Sequence, residues 1–179
     1  MDIGWLITAA ILALDAIISI WNSYVAGKVS NETKALGILF YILGGLLPMT
    51  YVMSIVITIL LAMFGYISYA TVNFLLNFIF IFFGAAIIMW GVIATVTSII
   101  ATVKTRSWKA GLVSVYNIGA LIYDMWEYVS DFGDAVKDMV SDLADDKEGA
   151  IAALIIVLGL ALAISFIITY LAYKAGKGE

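Results

Sequence analysis

The chain has 179 residues, 64% of them apolar and only 12% charged, with a formal net charge of −4 and a mean hydropathy of +1.10. A soluble domain is about half apolar and about a quarter charged, so no packed soluble core hides such an excess and most of the chain must face lipid. Cys and His are both absent, which excludes disulfides, thiolate zinc sites, cysteine nucleophiles and the commonest general base and metal or haem ligand. These limits predict an all-α integral membrane protein. A composition rich in isoleucine and tyrosine fits a prokaryotic cell membrane.

A span needs about 20 apolar residues, and the first such run covers residues 3–25, with Asp15 the one charge inside it. Trp5 and Trp21 stand near its ends, where amphipathic rings prefer the headgroup level. Asp2 in place of a basic n-region argues for a retained span rather than a signal peptide. A carboxylate at mid-span costs about 2.5–3.5 kcal/mol on insertion scales, so Asp15 must have a reason. Thr8, Asp15, Ser19 and Asn22 fall on one helix face. Two readings follow: a buried hydrogen-bond cluster with Asp15 protonated, or a water-filled pathway or proton site lined by Asp15, Ser19 and Asn22.

A polar island follows at residues 27–34, in which Ser30 or Asn31 is expected to cap the next helix. Residues 35–103 then carry no charge. The cluster of Gly, Ser, Thr and Asn at 65–73 divides this run into spans over about 36–64 and 74–103, and three shorter crossings fit its length less well. Pro48, following Gly44 and Gly45, is the expected kink. Thr50, Ser54 and Thr58 recur every fourth residue. Asn77, Gly84, Gly91 and Ser98 recur every seventh, a stripe that lets helices pack closely.

Residues 104–148 open with a basic turn, Lys104, Arg106 and Lys109, and continue as an amphipathic helix. Apolar residues step by four and three from Ile118 through Ile122, Met125, Val129, Phe132, Val136 and Met139 to Leu143, the spacing of a coiled-coil seam. Asp124, Asp131, Asp138 and Asp145 form one acidic line, and Glu127, Asp134 and Glu148 an adjacent one. From 124 to 148 there are nine acidic residues against two lysines. The seam either packs on its own protein or pairs with copies of itself. A membrane-surface helix is disfavoured, because such helices carry basic polar faces. Acidic faces gathered around an axis would concentrate cations at a pore mouth.

The last apolar run, 150–173, gives a fourth span. The expected organisation is thus three transmembrane helices in 1–103, a basic turn and acidic helix outside the membrane core in 104–148, and a last helix with a short tail in 149–179. The Lys and Arg bias places 28–34 and 104–148 in the cytoplasm and both termini outside, although Lys174 and Lys177 run against that rule.

Enzyme chemistry lacks its motifs, nucleic-acid binding lacks a basic patch, and no cofactor or metal is implied. The function expected is a homo-oligomeric channel or pore favouring cations. The alternative is a structural or accessory subunit that docks a basic protein partner through its acidic helix.

Overall fold

A computed structural model describes residues 3–179. Asp2 and the side chain of Trp5 lie outside the described residues. No strand forms among the described residues, and the elements are α1 (Ile3–Glu32), α2 (Lys34–Phe40), a π-helical turn (Tyr41–Leu46), α3 (Leu47–Met63), α4 (Tyr69–Thr105), α5 (Trp108–Asp145) and α6 (Lys147–Lys177). Four helical stretches are long and apolar enough to cross a membrane: Leu6–Glu32, Lys34–Met63, Tyr69–Lys104 and Lys147–Lys177. The uncharged run therefore forms two long stretches rather than three.

The junctions follow from local chemistry. α1 does not end at residue 25 but continues to Glu32, so neither Ser30 nor Asn31 caps a helix; Thr33 does, without a side-chain bond. Both polar groups face α6 instead: Ser30 Oγ accepts from Tyr173 Oη at 2.7 Å, and Asn31 Nδ2 donates to the Lys177 carbonyl at 3.3 Å. The turn after α3 uses Gly65 at φ 71°, a backbone region that glycine enters without a Cβ penalty. α4 begins at Tyr69 rather than at 74, because Ser68 Oγ accepts from the Thr71 N–H at 3.2 Å and caps the helix.

Around Pro48 the helix changes type rather than running on as regular α-helix. The chain widens into a π-helical turn just before it, and α3 restarts with the proline in its first turn. Proline has no N–H for the carbonyl four residues earlier, that of Gly44. Asn22 Nδ2 donates to that carbonyl at 2.9 Å. Thr50 and Thr58 bond back to the carbonyls of Leu46 and Ser54, and both are buried with Ser54, so this stripe is packing.

α1 and α6 cross where Gly27 meets Gly176. A Cβ on Gly27 would collide with the Tyr173 carbonyl and lie 3.0 Å from Gly176 Cα, and one on Gly176 would collide with the Tyr24 carbonyl. Towards the other end, Phe74, Leu75, Ile79 and Phe83 of α4 pack with Ala150, Ala153 and Val157 of α6 to form the apolar core.

The largest departure from expectation is α5. It folds back antiparallel along nearly all of α4. Thr102 Oγ1 and Ser114 Oγ are 2.8 Å apart, Thr95 Oγ1 donates to the Asn117 carbonyl at 3.2 Å, and Asn117 Nδ2 donates to the Ala94 carbonyl at 3.3 Å. Further along, Leu121 fills the space over Gly91, while Tyr128 lies over Gly84 and donates to the Ile81 carbonyl at 3.0 Å. The hairpin ends at Asp146, whose carboxylate accepts from Thr71 Oγ1 and Ser68 Oγ, each at 2.8 Å, and from the Gly149 N–H at 3.2 Å. Asp146 thereby caps α6 and ties it to the cap of α4. These bonds, led by that from Thr71, hold its carboxyl below the usual aspartate range.

Three expectations are corrected by this hairpin. Residues 104–148 do not gather at one end of the bundle: the basic turn lies at one end and Asp146 at the other, beside Ser68. α6 therefore runs back towards Asn31, which puts the C-terminal end with residues 28–34 and opposite Ile3 rather than at the same end as the N-terminus. The apolar seam is a contact seam only at its far end, where Val136, Met139 and Leu143 are half-buried and the last two pack against the core. Ile118, Ile122, Met125, Val129 and Phe132 are exposed, whereas Ser114 and Ala135 are buried and Asn117, Leu121 and Tyr128 half-buried against α4. The reason is steric and polar. α4 offers glycine gaps and hydroxyls, which take a ring, a leucine and hydrogen-bonding side chains better than a continuous row of branched chains.

Candidate functional site

The stripe Asn77, Gly84, Gly91 and Ser98 faces α5 of the same chain. Gly84 receives Tyr128 and Gly91 receives Leu121, while Ser98 Oγ bonds back to the Thr95 carbonyl and its own carbonyl accepts from Thr102. Asn77 lines a polar pocket with Asn73, Asp138, Ser141 and Asp142. This packing leaves Asp124 and Glu127 of α5 on the side of a gap that α1 and α3 also border.

Between those elements lies a cavity of about 460 Å³. Asp15 of α1, Tyr51 of α3, Ile87 and Trp90 of α4, and Asn117, Tyr123, Asp124 and Glu127 of α5 all line it. Asp15 and Ile87 stand near the midpoints of their helices, so the cavity sits about halfway along the apolar stretches. The Asp15, Asp124 and Glu127 carboxylates thus border one space, together with the Tyr51 phenol. Among the described residues no Lys or Arg lines the cavity. Like charges held together in this way are relieved by a proton or by a cation.

The residues singled out on α1 divide. Asp15 lines the cavity and is half-buried. Ser19 also borders it, but it is 1% exposed and its hydroxyl donates to the Asp15 backbone carbonyl at 2.7 Å. Asn22 borders it too, with its amide committed to Gly44. Thr8 is not part of the group; it lines a separate apolar groove between α1 and α3. On α5, Asp124 and Glu127 join Asp15, whereas Asp131, Asp134, Asp138 and Asp145 are exposed further along towards the Ser68 end. No group of three or more Asp and Glu among the described residues is disposed to hold a metal ion.

Tyr51, Trp90, Asn117 and Tyr123 belong to the site and carry no periodic signal of their own. The one available hint was that Ser114 and Asn117 interrupt the largely apolar stretch that follows Lys109 in α5. Comparison with known protein families, curated proteins and solved structures finds no match for this chain.

Proposed function

We propose that this chain is the subunit of a homo-oligomeric, cation-favouring membrane channel whose pathway follows the acidic side of α5. The observation that carries the reading is the cavity shared by Asp15, Asp124 and Glu127 at mid-length of the apolar helices, without a cationic side chain in its lining. A negative cavity of this kind raises the local concentration of cations. The exposed carboxylates beyond it point the same way. Asp131, Asp134 and Asp138 lie on a helix alongside an apolar stretch of 36 residues. Facing lipid would cost each of them up to about 2.5–3.5 kcal/mol, and several copies enclosing water remove that cost.

The test is cation flux from liposomes containing only the purified chain. Flux is expected, and Asp15→Asn and Glu127→Gln should each shift cation over anion preference towards parity. A monomeric protein without flux would end the channel reading. The exposed carboxylates of α5 also support a second reading, an accessory subunit that docks a basic partner. In that case neutralising Asp131, Asp134 and Asp138 releases the partner from a co-purified complex, and the chain alone conducts nothing.

A further inference from the structure

We infer that the end of the bundle opposite Asp146 is a binding site for anionic phospholipid, with the headgroup at Lys28 and an acyl chain along α1. This inference stands independently of the channel reading. Once α5 crosses back along α4 and α6 returns to Asn31, every basic residue except Lys137 and Lys147 lies at this end. Seven cations then face two carboxylates there, Glu32 and Glu179. Three of the lysines sit over aromatic rings: Lys28 Nζ is 4.7 Å from the centroid of Tyr24, and Lys109 and Lys174 are each 6.0 Å from those of Trp108 and Tyr170. Rings and cations stacked at one level are what a headgroup region selects.

One place at this end has the shape of an amphiphile. A groove of about 480 Å³ runs along the outer face of α1 over Ile17, Ile20, Trp21 and Tyr24, is bordered by Ala172 of α6, and reaches Lys28. Its apolar part lies towards the middle of the span and its single charge at the basic end, the polarity of a lipid in its leaflet. Trp21 is 63% exposed, so the groove is open to the bilayer side. A peptide carboxylate would meet the same lysine but would leave the apolar length of the groove empty. The surplus of positive charge selects an anionic lipid over a zwitterionic one.

The experiment uses the full chain in neutral detergent with equimolar dioleoyl phosphatidylglycerol and dioleoyl phosphatidylcholine, read by native mass spectrometry. Phosphatidylglycerol should be retained several-fold over phosphatidylcholine. Lys28→Gln should cut that preference at least in half, Lys28→Arg should restore it, and Lys137→Gln at the opposite end should leave it unchanged. Equal retention of the two lipids overturns the proposal. So does a preference that survives Lys28→Gln in a protein whose melting temperature in neutral detergent matches the parent.

Discussion

Asn22 and Pro48 make a sharply testable pair. The proline leaves the Gly44 carbonyl without its usual helical donor, and the Asn22 amide supplies one at 2.9 Å. Gly44 is buried, so water is a poor substitute. Asn22→Leu keeps the side-chain size and removes the donor, and an unpaired buried carbonyl costs about 1–3 kcal/mol. For a chain of this length that is a fall of roughly 2–12 °C in Tm. Pro48→Ala returns an N–H to position 48. In that background Asn22→Leu should cost about 1 kcal/mol less, a coupling above the ~0.3–0.5 kcal/mol scatter of independent sites. Unfolding in mixed micelles, followed by tryptophan fluorescence, measures all four corners of the cycle. An Asn22→Leu cost that is the same with and without Pro48 would refute the role given to this amide.

The other predictions concern different joints. Gly27→Ala and Gly176→Ala each force α1 and α6 apart and should each cost about 1–3 kcal/mol, read as a fall in Tm; an unchanged Tm removes the close crossing. Asp146→Ala should lower Tm near neutral pH by loosening the caps of α4 and α6. Because the folded-state pKa of Asp146 is depressed, its contribution is present above the ordinary aspartate value of about 3.9. It is lost as pH falls through the folded value. Parent and variant melting curves should therefore converge in acid, and a gap that widens below pH 4 contradicts the capping account. Gly84→Val should displace the Tyr128 ring and open the α4–α5 hairpin, seen as faster amide exchange across residues 121–135 with little change around Gly27.

Charge spacing alone located the four long apolar stretches, because an apolar run of that length and a charged interruption are both local properties of the chain. Pro48 as a break in the regular α-helix and Asp15 as the costly residue were legible for the same reason: each breaks a rule that needs no partner to state. Boundaries were less legible. α1 and α6 run past their apolar cores because Gly27 and Gly176 allow a contact between them that neither segment announces.

The stripe of α4 that packs closely was legible, but which neighbour it would meet was not. Periodicity lays out an apolar seam and an acidic line on α5, but it could not tell which part of the seam points inward. In a lipid setting the outward face is apolar too, so the usual equation of apolar with buried loses its force. On α5, Leu121 and Tyr128 fill the glycine gaps of α4, while Ser114 and Asn117 meet its hydroxyls and a carbonyl. The acidic character of α5 and the solitary Asp15 are properties of the sequence. Their meeting in one cavity exists because α5 turns back after Ser107, and so does the gathering of Lys174 with Lys28. Both depend on packing between residues a hundred or more positions apart, where complementary shape and hydrogen-bond partners decide and no local pattern speaks.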